Sequence, residues 1–342
     1  MAGIKCKNCW SEKRGGYNLN AKIIIRTYDL RTIWPIIKEK EMKPIIITDS
    51  NCDLAGEYLI DNNIPVIPFF FHFKDDNISK VPLYNDIYDK DLDCLSDSIT
   101  YKEFYDELRN GQISTTSQIS PHSFEKYFRI YTSKGHPIIY IGFSSALSGT
   151  LSNAILAQHK ITEENKEADI TIIDSKRATS GQGLLVYYAS EMLRAGKSKD
   201  EIIKWVEENK LKVNLWFTVD SLEHLKRGGR ISATSANIGT VLDIKPVLKM
   251  DSAGKLVPSK KVRGRKRAVK ELFEQLKENI IDSENQTIFI NHGDCIEDAE
   301  YLEKLVINNI AVNEVIINYV GPIVGTHTGP GVLAIAFLGQ TA

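Results

Sequence analysis

Small hydroxyl-bearing residues and a glycine follow one of the apolar stretches of the chain. The segment Ile138–Ala154 predicts a strand, a turn over Ser144–Thr150 and then a helix. At such a turn, backbone N–H groups point into the crevice beyond the carboxyl end of the strand, and the start of the helix attracts an anion. Ser148 adds a hydroxyl donor there. Two interpretations stay open on these residues alone: Ser148 binds an anionic ligand, or it only caps the helix.

Two further segments carry side chains that could reach the same anion. Ser114–Gln118 is a second hydroxyl cluster before a capped helix, and it is either part of a ligand site or an ordinary polar loop. His327 lies in the segment Gly325–Gly331 ahead of a buried strand, with room for a ligand beside the ring, although a single histidine is more commonly structural. Together the three segments could converge on one anion.

Several motifs that bind nucleotides or activate a nucleophile are absent. There is no GxxxxGK[ST] loop, and Gly181-Gln182-Gly183 lacks the third glycine of a dinucleotide fingerprint. A GxSxG elbow is missing as well. We therefore expect no ATP or NAD cofactor and no catalytic residue in this chain. The alternative is a serine acyl-ester hydrolase that uses Ser148 as nucleophile and His327 as base, although no acidic third member is indicated.

Composition limits the class of protein. The chain has 342 residues, a formal net charge of −1 and 42% hydrophobic residues, which favours a folded, soluble, two-domain protein over a disordered one. No apolar run approaches the ~18–20 residues that span a bilayer. The five scattered cysteines and the absence of a secretory signal favour the reducing cytoplasm. Cys6 and Cys9 resemble half of a zinc site without its second half, so we expect no bound metal.

Apolar strands alternate with amphipathic helices, which predicts an α/β fold with a mostly parallel sheet covered on both faces. Helix starts are marked by capping boxes at Thr100 and Ser198 and by an N-cap and proline at Ser120-Pro121. The predicted domains are 42–211 and 212–342, both α/β, with 1–41 as an N-terminal extension outside the fold. The predicted strands are Ile45–Thr48, Ile64–Phe73, Pro137–Phe143, Asp169–Ile173, Val213–Val219, Thr287–Asn291, Val312–Ile317 and Val332–Leu338.

Two other patterns have more than one interpretation. Basic residues are dense over Lys255–Lys270 and again over Lys226–Arg230. They are either a solvated helix start and loop, or a docking face for an acidic protein, anionic lipid headgroups or nucleic acid. Little aromatic interleaving argues against nucleic acid as a partner. The phenylalanines of Phe69–Phe73 could wall a ligand tunnel, but we expect them to be core.

Six motifs occur in an order that resembles a known family. They are Asp49-Ser50, Thr116-Ser117-Gln118, Ser144-Ser145-Ala146-Leu147-Ser148-Gly149-Thr150, Asp174-Ser175, Lys226-Arg227-Gly228-Gly229-Arg230-Ile231-Ser232 and His327-Thr328-Gly329-Pro330-Gly331. From about Met42 to the C-terminus the chain closely resembles the DegV family, the fatty-acid-binding proteins of bacteria. Ile119 departs from the family pattern, because proline often follows Thr-Ser-Gln there.

The resemblance implies a function and a site. It implies one long-chain fatty acid in a tunnel between two domains, held by its carboxylate and presented to a separate ATP-dependent kinase that makes acyl phosphate for phospholipid synthesis. The carboxylate ligands it implies are Thr116, Ser148, backbone N–H groups near Gly149, and His327 beside the headgroup. It further implies a supporting role for Ser117, Gln118 and Ser145, and a face for the kinase and for transient membrane contact at Arg230 and Arg263.

Overall fold

The computed structural model describes residues 42–74, 80–82, 97–232 and 243–341. The predicted extension 1–41, with Cys6 and Cys9, lies outside the described residues. Residues Met42–Ala342 form one compact unit. The domain boundary after residue 211 stays a prediction, although within the described ranges each sheet takes all its strands from one side of it.

Strands and helices alternate along the chain. The strands are β1 Ile45–Asp49, β2 Val66–Ile67, β3 Phe70–Phe73, β4 Lys80–Pro82, β5 Asp97–Ile99, β6 Ser114–Ser117, β7 Ile138–Gly142, β8 Ile170–Asp174, β9 Val213–Thr218, β10 Ile244–Met250, β11 Leu256–Arg263, β12 Thr287–His292, β13 Glu314–Tyr319 and β14 Leu333–Leu338. The helices are α1 Gly56–Asp61, α2 Tyr101–Arg109, α3 Pro121–Thr132, α4 Thr150–Glu164, α5 Thr179–Arg194, α6 Lys199–Asn209, α7 Glu223–Arg227, α8 Arg265–Asn279, α9 Ile296–Asn309 and α10 Pro322–Thr328.

The first sheet is parallel, with strand order β2-β1-β7-β8. Every residue of β7 is buried, as a strand covered on both faces requires. The chain winds outward from β1 to β2 in one direction and from β7 to β8 in the other. The carboxyl ends of β1 and β7 therefore form a topological switch point, the usual place for a ligand in an open α/β sheet. The predicted α/β class is confirmed.

The second sheet, of order β5-β4-β3-β6, corrects two predictions. The predicted strand Ile64–Phe73 is two strands in different sheets, because Pro68 lies between them and has no N–H for a ladder. The predicted loop Ser114–Gln118 contains strand β6, which pairs antiparallel with β3 so that Thr116 lies opposite Phe71. A polar stretch this short carries no clear alternation of apolar side chains, so periodicity could not reveal the strand.

The third sheet belongs to the second half of the chain, with strand order β11-β10-β9-β14-β12-β13. Its neighbouring strands are antiparallel except for β12 and β13. The basic run Lys255–Lys270, for which a helix start and loop is one of the two interpretations, includes the strand β11 at the edge of this sheet. Lysines on an edge strand discourage pairing with another chain, which is a structural role for part of the run.

Helix starts follow the predicted caps, and one buried arginine joins the two halves. Thr100 and Ser198 form capping boxes, and Ser120 caps α3 ahead of its proline. Arg177, which is fully buried, donates hydrogen bonds to the backbone carbonyls of Leu211, Val213 and Asp251. Burial lowers the pKa of Arg177 to about 10, so the guanidinium stays charged at neutral pH.

Candidate functional site

A cavity lies at the switch point of the first sheet. Its empty space, with the open mouth included, is about 680 Å³. Asn51, Ser148 and Thr179 line it from the segments that follow β1, β7 and β8. Strand β9, helix α10 and strand β14 line it from the second half of the chain. The site is therefore built from both halves of the fold.

Most of the cavity wall is apolar. Phe69 is part of this wall, which corrects the expectation that it is plain core, whereas the buried rings of Phe71 and Phe73 pack edge-on against each other and contact Phe104. An apolar chain can replace water along such a wall at a gain in free energy. The apolar lining residues are Phe69, Phe143, Leu147, Ala178, Leu215, Phe217, Leu225, Leu256, Val320, Ile323, Val324, Val332 and Ala334.

The structure brings three of the predicted ligand residues to this one cavity. Thr116 on β6, Ser148 before α4 and His327 in the last turn of α10 all line it. The hydroxyl of Thr116 lies 3.1 Å from Nε2 of His327. The His327 ring is carried by a short helix that begins at Pro322.

Arg230, which the resemblance assigns to the face for the kinase and the membrane, also lines the cavity. Its half-buried side chain lines the cavity, where Nε donates to the carbonyl of Leu147 at 3.2 Å and NH1 donates to the carbonyl of Gly228. A guanidinium with two backbone acceptors is held in one orientation and keeps its charge, so the polar end of the cavity is electropositive. Arg263, the other arginine of the predicted face, is exposed at the end of β11.

Burial and nearby positive charge keep His327 neutral. Burial is the largest influence, followed by Arg230, Arg227 and His224, and together they lower the pKa of His327 to about 4. Nδ1 of the ring is buried and, in the described part of the chain, has no hydrogen-bond partner. A neutral imidazole offers one donor and one acceptor, so it can donate to an anion while its other nitrogen accepts.

The hydroxyl of Ser148 does not form the nucleophile–base pair that a hydrolase needs. Its partner at 3.0 Å is the hydroxyl of Thr150, and it also accepts from the N–H of Thr150 at 3.3 Å. The nearest partner of the His327 ring is Thr116 instead. A base with a pKa of about 4 would also be a poor proton acceptor at neutral pH.

Two of the three predicted supporting residues, Ser145 and Gln118, hold the hydroxyl segments in place from the exposed side. Ser145 donates to the carboxylate of Asp174 at the end of β8. The amide oxygen of Gln118 accepts from Asn153 at 3.3 Å, and the same amide covers Gly149, where a Cβ atom would come within 3.0 Å of it. The third of these residues, Ser117, makes a long contact of 3.5 Å with the carbonyl of Phe70.

Two glycines leave room for two histidines at the junction of α7 and α10. A Cβ atom on Gly228 would lie 2.2 Å from Nδ1 of His327, and one on Gly329 would lie 2.6 Å from the ring of His224. Both glycines belong to the motifs that carried the family resemblance. Glycine is needed at both positions because a side chain on either one would collide with the imidazole ring that the other helix of the junction carries.

Sequence reasoning missed three polar lining residues, Asn51, Thr179 and Thr328, and one buried acid. Asn51 and Thr179 line the cavity directly after β1 and at the start of α5. Their signal is position, because each follows the carboxyl end of a parallel strand. Asp53 accepts from the hydroxyl of Thr179 and from the N–H of Gly321, and burial raises its pKa to about 8. It joins α5 to the start of α10 beside the cavity.

No group of three or more His, Cys, Asp or Glu side chains in the described ranges could hold a metal ion. No helix among the described residues is both long and apolar enough to cross a membrane.

Comparison with known proteins gives one consistent family. Residues 43–340 match the family described as "Uncharacterised protein, DegV family". A DegV domain-containing protein of Clostridium perfringens (strain 13 / Type A) is 44% identical over 299 residues, which cover 87% of this chain and 98% of the relative. The DegV domain-containing protein YteA of Lactococcus lactis is 31% identical, with 85% of this chain and 96% of the relative covered.

Solved structures agree with this family in fold. A DegV family protein from Thermus thermophilus, whose structure is described as showing fatty acid binding, has a TM-score of 0.75 and 26% identity, with 87% of this chain and all of that chain covered. DegV from Bacillus subtilis, described as a fatty acid binding protein, has a TM-score of 0.70 and 30% identity, with 86% and 98% covered. On its sequence and its fold, this chain belongs to the DegV family.

Proposed function

We propose that this chain binds one long-chain fatty acid, with the tail in the cavity and the carboxylate at Thr116, Ser148 and His327. One observation carries the proposal: an apolar cavity at the switch point ends at two hydroxyls, a neutral imidazole and the Arg230 guanidinium. The relatives from Thermus thermophilus and Bacillus subtilis that share the fold are described as fatty acid binding, which supports the same ligand class here.

The energetics favour such a ligand. Each buried methylene contributes about 0.8 kcal/mol, so a chain of about sixteen carbons gains roughly 12 kcal/mol before the ordering costs of binding are subtracted. A carboxylate without partners beside that apolar wall would be costly. Charge-assisted hydrogen bonds from Thr116 and Ser148 offset this cost, with N–H groups at the start of α4 near Gly149 as further donors. Arg230 adds a counter-charge, which the expectation from sequence had not included.

The wider role that we propose is that of a carrier without a reaction of its own. The chain presents the carboxylate to a separate ATP-dependent fatty-acid kinase, and the acyl phosphate then enters phospholipid synthesis. This part rests on the family resemblance and on the missing nucleotide motifs. The exposed Arg263 is a candidate contact for that kinase or for a membrane surface during lipid exchange. A cytoplasmic place of action stays a prediction.

Lipid analysis of the purified protein tests the proposal. We expect mass spectrometry of the denatured wild type to show close to one equivalent of fatty acid. The double variant Thr116→Ala with Ser148→Ala should fold but bind added palmitate roughly ten-fold or more weakly, because each lost hydroxyl leaves the carboxylate less well paired. Ser117→Ala is the matched control, since that neighbouring hydroxyl is exposed. An empty wild type that takes up no palmitate would contradict the ligand class, and unchanged binding by the double variant would contradict the site.

A further inference from the structure

The hairpin formed by β10 and β11 reaches from the second half of the chain to the first. Ser144 lies just after β7 and is fully buried, and its hydroxyl donates to the carbonyl of Gly254 at the tip of the hairpin at 2.9 Å. Arg177, which lies just after β8, donates to the carbonyl of Asp251 at the same tip at 3.2 Å. The tip is therefore fastened to the loops at the carboxyl ends of two parallel strands.

The contact at the tip requires glycine at position 254. Gly254 is buried, although the residues on either side of it are exposed. A Cβ atom on Gly254 would lie 2.3 Å from Oγ of Ser144 and 3.3 Å from Cα of Lys176. Its φ of +80° is in the left-handed region that favours glycine. The hairpin tip and the first half of the chain thus pack closely at this residue.

The same hairpin contributes a side chain to the wall of the fatty-acid cavity. This is Leu256, the first residue of β11. Leu256 pairs with Met250 on β10, and continuing the register of β10 with β9 places Met250 level with Leu215. Leu215 lines the cavity as well. Leu256 and Leu215 therefore contact the cavity at the same level of the sheet.

This level lies away from the polar end of the cavity. Strand β9 runs toward the polar end, because α7 follows it and the glycine after α7 lies against the His327 ring. Leu215 comes three residues before the last residue of β9, which is about 10 Å along an extended strand. We therefore expect a long tail to reach Leu256 and a short one to end before it.

We propose that Ser144 is a positioning residue for the fatty-acid tail: its hydrogen bond to the hairpin tip holds Leu256 across the far end of the cavity. The inference rests on the proposed function. Ser144 does not line the cavity and acts through the hairpin. Among the described strands, β11 has β10 as its only neighbour, so contacts at the tip are needed to fix its place over the cavity. This gives a role to the first serine of the Ser144–Thr150 motif, which the carboxylate site does not use.

A comparison of a long and a short acid tests this role. In Ser144→Ala, palmitate should dissociate roughly three-fold to ten-fold faster and bind more weakly by a similar factor, because the hairpin tip loses a buried hydrogen bond. Octanoate, whose tail should end before Leu256, should bind the variant and wild type with affinities that agree within about two-fold. Transfer of radiolabelled acid to excess albumin gives the dissociation rates, and competition with radiolabelled palmitate gives the affinities.

Thr218→Val is the matched control. The hydroxyl of Thr218 is also fully buried, and it donates to a backbone carbonyl, that of Pro246 on β10, at 2.8 Å. Thr218 follows Phe217, which lines the cavity, so its side chain lies on the opposite face of the sheet. The control loses a comparable hydrogen bond and leaves the hairpin tip fastened, so both acids should bind it as they bind wild type.

Gly254→Ala tests the same contact from the side of the hairpin. Its methyl group would collide with the Ser144 hydroxyl, so this variant should lose more palmitate affinity than Ser144→Ala does. The double variant removes the colliding oxygen, so it should bind palmitate at least as tightly as Gly254→Ala alone. If the losses of the two single variants multiply in the double variant, the two residues act independently and the inference is overturned.

The remaining outcomes separate this inference from the proposed function. If wild type binds no palmitate, the proposed function fails. If wild type binds palmitate and Ser144→Ala weakens both acids equally, or weakens neither, only the inference is overturned. The same holds if Thr218→Val shows the selective loss of palmitate that is expected of Ser144→Ala. Cooperative thermal unfolding shows that each variant folds.

Discussion

At the scale of single residues, the surroundings of His327 differ strongly from water. Thr116 occupies Nε2, Gly228 leaves room beside Nδ1, and the nearby arginines oppose protonation. A histidine in this state is a hydrogen-bonding group of fixed charge across the physiological range. The positive charge at the polar end of the cavity therefore comes from Arg230: burial lowers the pKa of its guanidinium, but arginine is not deprotonated in proteins.

Stability should depend on pH through this histidine. The pKa of His327 is lowered from its ordinary 6.5 to about 4, so between these values the unfolded chain binds a proton that the native chain does not. The stabilisation is complete above pH 6.5 and is lost as the pH falls toward 4. We expect wild type to lose about 1–3 kcal/mol more unfolding free energy over this window than His327→Gln does, at a slope of at most about 1.4 kcal/mol per pH unit.

Urea denaturation at half-unit pH steps measures this difference. His224 and His292 also have a pKa lowered mainly by burial, and because both are present in the two proteins, their contribution cancels in the comparison. If plots of unfolding free energy against pH ran parallel for wild type and His327→Gln, His327 would have the same pKa in the folded and unfolded chains, contrary to expectation.

At the scale of elements, the contact between α7 and α10 decides where His327 lies. A methyl group at position 228 would come within 2.2 Å of Nδ1, so either α7 or the His327 ring must move in Gly228→Ala. The backbone of Gly228 has φ −73°, which alanine adopts freely, so the effect is purely steric. We expect a loss of about 1–3 kcal/mol of unfolding free energy and weaker palmitate binding, measured by urea denaturation and by calorimetry.

The neighbouring glycine provides the control. Gly229 has φ +70° and open space within 4 Å of its Cβ position, so Gly229→Ala should cost about 1–2 kcal/mol through backbone strain and leave palmitate affinity unchanged. The two variants thus lose similar stability by different means. If both lost palmitate affinity equally, general destabilisation and not the position of the His327 ring would be the cause.

Elements that repeat a strong local pattern were predictable from sequence, and those defined by tertiary pairing were not. The strands β1, β7 and β8 are apolar runs, and α2, α3 and α6 carry capping signals that the structure reproduces. Strand β6 is polar and exists through its pairing with β3. The position of Arg230 in the site could not be predicted from sequence for the same reason. Its side chain is held by the carbonyls of Leu147 and Gly228, and these contacts exist only in the folded chain.

At the scale of the whole molecule, the cavity and a few buried polar contacts join the two halves of the chain. Arg177 donates to the carbonyls of Val213 and Asp251, and Tyr105 donates to the carbonyl of Val320 at 2.7 Å. The fatty-acid cavity lies among these contacts and takes its wall from both halves. A ligand that fills the cavity makes apolar contacts with both halves. Binding should therefore add RT ln(1 + [L]/Kd) to the free energy of unfolding and raise the unfolding temperature.

The length of the acyl chain should set affinity until the cavity is full. Each added methylene is worth about 0.8 kcal/mol, so Kd should fall roughly four-fold per carbon in a saturated series that begins at octanoate. The series should then reach a plateau where the tail meets the end of the apolar wall, and thermal shifts at fixed ligand concentration locate that plateau.

Primary alcohols of the same lengths form the matched series: their affinities should rise with the same slope but lie uniformly lower, because they lack the charge-assisted bonds at Thr116, Ser148 and Arg230. If the affinity of the acids did not change with chain length, the tail would lie outside the cavity. If acids and alcohols of equal length bound equally well, the polar end of the cavity would not contact the carboxylate.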